Sequence, residues 1–347
     1  MATSRLFDFP YNGENLDTYF KRLESFKDKI DALYCALPGV KHHLTGSMGH
    51  SDYDEKCAAF LKASKGLYSR SVTLNSIFDV MDDEKFALTM DKIFRDIDEY
   101  EPETVICANL YMAMEIRRRY PNIQIDTSCN TYQFNLSEVR VWNELLHLHF
   151  VNPPRQAGRM PEFLKDLHDH GFKLKVLCNE SCFFGCPQMA AHCLSIAVKH
   201  NRRVAIDKGC YLGSTENFFK GCYLLPRWLE KLDPYVDVWK IQGRYMQTDY
   251  IFKTLEHYIK GEDCPLSEIF DEFHQCPTKD GKDISTELIP DKLLTCEMKD
   301  CHRTCFLCEE NAKKLFRSRT FSLDPRQMSS NVYINIGGKE SVEEVII

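Results

Sequence analysis

Eight times before residue 260 the chain alternates a short β-branched or aromatic run with a longer segment of helical period. Strands that return through helices run parallel, and a parallel sheet must be covered on both faces or rolled into a barrel. The strand runs are Leu6–Pro10, Asp31–Leu37, Tyr68–Leu74, Thr104–Asn109, Ile123–Cys129, His147–Asn152, Lys173–Cys178 and Val236–Gly243. Helical patterns follow, as in Leu16–Phe26, Tyr53–Ala63, Asp83–Tyr100, Leu110–Tyr120, Pro161–His170 and Thr248–Lys260. Eight such units predict a (βα)8 barrel of the TIM type. A doubly wound open sheet is the competing arrangement, because periodicity does not show whether the last strand pairs with the first. A chain of 347 residues, 44% of them hydrophobic, can build a core of that size.

One connection breaks the rhythm. About 55 residues separate the seventh strand from the eighth, and they hold Cys182, Cys186, Cys193, Cys210 and Cys222. Loops after barrel strands project from the C-terminal face, where barrel enzymes build their sites, so this loop is expected to hold a cofactor. Beyond Gly261 the pattern lapses into a polar stretch, a second cysteine group, a strand-like Asn331–Ile336 and an acidic-apolar tail. The expected division is a barrel over 1–262, with its cluster-binding loop at 179–235, and a small metal-binding extension over 263–347. So short an extension buries little apolar surface by itself, and a bound metal would supply the missing stability.

The cysteines number 16, far more than one nucleophile requires. The opening residues, Met1 to Pro10, lack the apolar stretch of a signal peptide, and no run approaches a membrane span. The expectation is therefore a cytoplasmic protein whose thiols stay reduced and bind metal. A net charge of -7 argues against a broad cationic nucleic-acid surface, leaving Arg202, Arg203 and Lys208 as the candidates for a local basic groove. Cys296-x4-Cys301-x3-Cys305-x2-Cys308 suits either tetrahedral zinc or a 4Fe-4S cubane, with His302 left at the surface. The mid-chain run Cys178-Asn-Glu-Ser-Cys182-Phe-Phe-Gly-Cys186-Pro can converge around an iron–sulfur cluster. Its spacing is not the Cys-x3-Cys-x2-Cys of radical S-adenosylmethionine enzymes. Cys35, Cys57, Cys107 and Cys129 fall in strand or helix patterns and read as core.

The eighth strand ends in Lys240-Ile-Gln242-Gly-Arg244, whose alternating polar residues point to one side, where a lysine and an arginine suit a carboxylate or phosphate. Asn75, Asn109, Asp126, Asn130, Asn152, Arg155 and Glu180 lie at strand ends and can face the same mouth. His42, His43 and His50 sit in a glycine-rich loop with no ligand-spaced partner. Tyr211, Phe218, Phe219, Tyr223 and Trp228 can shield a cluster or stack on a planar substrate.

The cysteine loop after the seventh strand, the Lys-Ile-Gln-Gly-Arg run on the eighth and Asp126-x-Ser128-x-Asn130 on the fifth together resemble the U-thirty-two peptidase family. That family's barrel ends in a similar Lys-Ile-Glu-Gly-Arg motif, and the likeness covers most of residues 5–260 in order. Several members are iron–sulfur proteins of oxygen-independent hydroxylation, acting on RNA bases or quinone precursors. The resemblance thus implies a redox enzyme with a 4Fe-4S cluster on Cys182, Cys186, Cys222 and, as fourth ligand, Cys193, with Cys178 or Cys210 as alternatives. It also implies site roles for Asp126, Glu180, Lys240 and Arg244, a small-molecule or RNA substrate, an electron-donor protein, and a second 4Fe-4S cluster or zinc on the C-terminal cysteines. Two departures separate the chain from the peptidase members: Gln242 replaces their glutamate, and their Glu-Phe-Gly-Cys signature is missing near Glu144–Asn152. The alternatives are a peptidase or other hydrolase of that family, and a non-catalytic iron–sulfur module.

Overall fold

A computed structural model describes residues 5–39, 52–75, 83–180, 182–186, 217–244, 246–270, 284–296 and 304–315. Seven strands, β1 (Phe7–Pro10), β2 (Ile30–Ala36), β3 (Ser69–Leu74), β4 (Thr104–Cys107), β5 (Gln124–Thr127), β6 (Lys175–Leu177) and β7 (Val238–Lys240), form one sheet. Their order is β5-β4-β3-β2-β1-β7-β6, and every pairing is parallel. The last strand pairs with the first, Asp8 opposite Lys240, which an open doubly wound order would not give.

The edges of this sheet meet through the segment 149–152. On one side His149 donates its N–H to the Ile125 carbonyl and Thr127 donates to that of Phe150. On the other, Val151 and Leu174 form a parallel bridge, Val151 donating to Lys173 and Lys175 donating back to Val151. The sheet therefore curls in the manner of a TIM-type barrel. The expected sixth strand, His147–Asn152, contracts to this bridge because His147 has left-handed backbone (φ 49°) and closes the preceding helix.

The helices are α1 (Leu16–Leu23), α2 (Tyr53–Ser64), α3 (Asp83–Tyr100), α4 (Leu110–Arg119), α5 (Leu136–Leu146), α6 (Pro161–Asp169), α7 (Leu229–Leu232), α8 (Thr248–Lys260) and α9 (Leu307–Leu315). Local chemistry starts and stops them. Asn109 accepts from the Met112 N–H at the head of α4, Asn135 does the same for Glu138 at α5, and Pro161 opens α6. Gly261, at φ 70°, ends α8. Leu33, Val72, Val105, Ile125, Val176 and Trp239 are buried in one core together with Leu266, Ile269, Phe270, Ile284, Leu293 and Leu294. The described residues beyond 262 thus pack on the barrel.

Gly243 turns the chain out of β7 toward the mouth at φ 141°, where an added Cβ would lie 2.7 Å from Ile251 Cγ2. Both backbone and space require glycine. Gly243→Ala is expected to cost about 1–3 kcal/mol, read as a lower urea midpoint; an unchanged midpoint would show that α8 yields without cost.

Candidate functional site at the barrel mouth

Polar side chains from four strand ends join in a network at the mouth. Arg155 reaches Glu180 Oε2 at 2.5 Å and Asn130 Oδ1 at 3.0 Å. Asn130 Nδ2 donates to the Asn75 carbonyl and Ser128 Oγ to Asn75 Oδ1, both at 3.0 Å. Glu180 Oε1 accepts the Cys182 N–H at 3.0 Å, so the carboxylate after β6 also fixes the start of the cysteine loop. Burial alone would raise its pKa, but Arg155 and the Cys182 amide hold it below the ordinary value. Asn109 is a helix cap and Asn152 is tied to Thr127, donating Nδ2 to its carbonyl at 2.6 Å.

The Lys240, Gln242 and Arg244 series divides by function. Gln242 and Asn179 clasp each other: the Gln242 N–H donates to Asn179 Oδ1 at 2.7 Å, its Nε2 to the Asn179 carbonyl at 2.7 Å, and Asn179 Nδ2 to the Gln242 carbonyl at 3.1 Å. This clasp joins the ends of β6 and β7, and it uses both donor and acceptor chemistry, which an amide supplies and a carboxylate does not. Arg244 donates to Thr73 Oγ1 at 2.8 Å. Lys240 is only 8% exposed and lays its ammonium over the Tyr34 ring, 4.3 Å from the centroid.

Asp126 lies deeper than the mouth. It is fully buried and pairs with Lys175 Nζ at 3.0 Å, while Lys175 also takes Asp8 at 2.8 Å. Asp126 Oδ1 accepts the Phe150 N–H at 3.1 Å, and His149 Nδ1 stands 3.4 Å away. Although burial opposes its charge, Lys175 and His149 hold Asp126 below the ordinary carboxylate range. Asp31, on the rim of this group, is pushed up to about 6 by burial and by Asp8. Lys175 thus commands the carboxylates of the barrel floor, and among the described residues Lys240 has no carboxylate partner of its own.

An ammonium in that position is costly. Burial brings the Lys240 pKa down from 10.5 to about 8, against the pull of Asp8. A base with a depressed folded pKa binds its proton more readily when unfolded, so stability should rise as pH climbs from about 8 to 10.5. Lys240→Met is expected to add on the order of 2 kcal/mol at pH 7 and to flatten that rise. Urea melts at pH 7 and 10 check both; an equal pH slope in the two proteins would place the amine in water.

The cysteine loop is pinned as an antiparallel pair. Phe183 bridges Gly221, the Cys222 N–H donates to the Cys182 carbonyl at 2.7 Å and Phe184 donates to Lys220 at 2.8 Å. Cys182 and Cys186 are half-buried, Cys222 is buried, and Cys186 and Cys222 lie within electrostatic range of each other. Burial, then Glu180, pushes the Cys222 thiol far above its ordinary pKa. Cys178 is sequestered, its Sγ donating to the Lys240 carbonyl at 3.3 Å. Cys193 and Cys210 lie outside the described residues, as do His42, His43, His50, Cys301, His302, Tyr211, Arg202, Arg203, Lys208 and the Phe218 side chain. Among the described residues no three His, Cys, Asp or Glu side chains form a group that could hold a metal ion.

Arg159, which shows no pattern in the sequence, joins the two cysteine groups. It is 1% exposed, donates to the Gly221 carbonyl at 2.6 Å and also bonds the Leu293 carbonyl. Its guanidinium lies in electrostatic range of Tyr223, Cys222, Cys296 and Cys308, and it makes no salt bridge among the described residues. Helix α9, which carries the buried Cys308, packs against residues 217–220 just ahead of Cys222. Cysteines distant in sequence thus lie within electrostatic range of one buried cation.

No family model matches the chain. A solved structure, the U32 peptidase Mk0906, aligns with a TM-score of 0.50, covering 69% of this chain and 93% of its own length at 8% identity. In fold, the chain is similar to this U32 peptidase. At so low an identity the structural likeness speaks for the fold alone. The uncharacterized protease MJ1657 of Methanocaldococcus jannaschii is 22% identical over 165 residues, covering 45% of this chain and 48% of the relative. The chain thus spans about half the length of the curated relative it matches. No described helix is long and apolar enough to cross a membrane.

Sequence reasoning placed Glu180, Lys240, Arg244, Asn75 and Asn130 at this mouth but missed Arg159, Lys175, Asp8 and Tyr34. Lys175 had a signal, a cation inside the apolar strand Lys173–Cys178. Cys129, expected in the core, is half-buried at the end of β5 and in electrostatic range of Lys240.

Proposed function

We propose that the chain is an iron–sulfur enzyme of redox type, acting on a small anionic or nucleobase-like molecule at the barrel mouth. The observation that supports it is Arg159. A buried guanidinium needs anions nearby, and the ionisable groups within electrostatic range of this one include the thiols of Cys222, Cys296 and Cys308 and the Tyr223 hydroxyl. A thiol becomes a stable thiolate when it binds a metal, so cysteines grouped around a cation fit a thiolate-bound metal and its negative charge. Cys182, Cys186, Cys222 and Cys193 would hold a 4Fe-4S cluster, and Cys296, Cys301, Cys305 and Cys308 a second cluster or zinc. When bound, the barrel cluster would supply or accept electrons, and oxygen-independent hydroxylation is the reaction that the family resemblance favours.

The chain's own residues would do the rest. Arg244 and Lys240 would hold the anionic part of the substrate, while Glu180, oriented by Arg155, would accept a hydrogen bond at the reacting end. Asp126 would act from the floor by fixing Lys175 below Lys240. An electron-donor protein would meet the molecule near α9, the described helix that carries Cys308.

Hydrolysis is the second reading, favoured by the names of both similar proteins. The two separate cleanly. Anaerobic protein stripped by chelation should lose turnover of a reductant; peptide cleavage that survives complete metal removal would instead establish the hydrolase.

A further inference from the structure

Lys240 and Lys175 stand on adjacent strands, in register at Leu177↔Lys240 and Lys175↔Val238, yet their surroundings are opposite. Lys175 holds Asp8 and Asp126 at 2.8 and 3.0 Å and sits nearer the barrel floor. Lys240, the last residue of β7, receives no ion pair or hydrogen bond at its Nζ among the described residues; its neighbour is the face of Tyr34. The Tyr34 hydroxyl is itself engaged, donating to the Ile241 carbonyl at 2.6 Å, so it offers the amine no oxygen. The groups facing Lys240 from the packed elements are Asp8 on β1, Tyr34 on β2, Asp126 and Cys129 on and after β5, and Lys175 on β6. Two of these are carboxylates already matched to Lys175. A lysine kept for ion pairing would be given a carboxylate; one placed at the C-terminal end of a barrel strand beside a second cation is arranged to shed its proton and react.

We propose that Lys240 is a nucleophile that forms an imine with an aldehyde or ketone whose neighbouring carboxylate or phosphate is held by Arg244. The neutral Nζ attacks the carbonyl carbon, giving a carbinolamine. The former carbonyl oxygen then leaves as water, taking both amine hydrogens, and a neutral C=N bond remains. No oxidant or reductant is consumed. The burial that brings Lys240 to about 8 provides a neutral fraction near physiological pH that an exposed lysine lacks. This inference does not depend on any metal at the cysteines.

The test uses the full chain with glyoxylate, pyruvate and acetaldehyde in turn, each with cyanoborohydride, which reduces an imine to a stable secondary amine. Peptide mapping then reads the modified lysine. The expected result is reductive alkylation at Lys240 at least tenfold faster than at the exposed Lys65, steepest as pH rises toward 8 and faster for the two carboxylates than for acetaldehyde. Arg244→Gln should remove the carboxylate preference while acetaldehyde still labels Lys240. Lys240→Arg, which keeps the cation, should lose the fast site while circular dichroism stays unchanged. Labelling of Lys240 no faster than of Lys65 in folded wild-type protein would overturn the proposal, as would a fast site that persists in Lys240→Arg. Because the labelling needs no metal, its failure would leave the iron–sulfur reading untouched, and the reverse holds.

Discussion

Lys175→Met is expected to destabilise the protein by about 3–5 kcal/mol at pH 7, the usual cost of removing one partner from a buried ion pair. Lys175 is 2% exposed, while Asp8 and Asp126 are fully buried. Asp126 would keep the Phe150 amide, but neither Asp8 oxygen has a well-aligned hydrogen bond, so Asp8 depends on the ion pair itself. Without Lys175 the two carboxylates face each other in a dry interior and at least one takes up a proton. Their folded pKa values then lie above the unfolded ones, which makes the variant's stability fall as pH rises above about 4. The gap from wild type should therefore be small near pH 4 and wide at pH 7. Urea midpoints at the two pH values measure it; a gap independent of pH would mean that the lost lysine acted through packing alone, for instance against the Phe150 ring that lies 4.5 Å from its ammonium.

Arg159→Met should have an effect of comparable size for a different reason. The guanidinium donates to carbonyls at Gly221 and Leu293, which belong to the cysteine loop and to the segment leading to Cys296, and it lies 5.7 Å from the centre of the Trp228 ring. Charge-assisted bonds of this kind are worth about 1.5–3 kcal/mol each, and their loss leaves two buried acceptors unmet. A loss of about 3–5 kcal/mol is expected, with early proteolytic release of the region beyond residue 262. Arg159→Lys should recover part of the stability through one carbonyl. Limited proteolysis beside a thermal melt separates the two contributions; a variant that melts lower but releases no C-terminal fragment would show that the residues beyond 262 are held by their apolar contacts.

Much of this architecture was legible as periodicity. Short β-branched runs separated by helical stretches announced a parallel sheet, and the strands fall within those runs, trimmed by up to three residues at an end, except that β2 starts one residue earlier. The sixth run, His147–Asn152, deceived because its first residue closes helix α5 and only Val151 bridges Leu174. Helix α5 carries Val139, Val141 and Trp142, residues that equally suit a strand; the Asn135 cap and the Glu138 side chain that accepts the Phe134 N–H decide for helix. At the mouth, strand-end position singled out Glu180, Lys240 and Arg244 as candidates, since such ends point where barrels keep their chemistry. Pairing was not legible. That Arg155 belongs to Glu180, Lys175 to two aspartates, and Arg159 to cysteines from both ends of the cysteine-rich half are facts of three-dimensional approach, and no spacing rule encodes contacts across 49 or 134 residues.

The central claim is that the cysteines around Arg159 bind metal as thiolates. Anaerobic purification of the full chain, with iron, acid-labile sulfide and zinc counted per chain for wild type, Cys222→Ala and Cys305→Ala, tests it most directly. Iron and sulfide in the wild type, lost in part by each variant while the fold persists, is the predicted result. Folded wild-type protein that carries no iron, sulfide or zinc, and takes up none on anaerobic reconstitution, would contradict it.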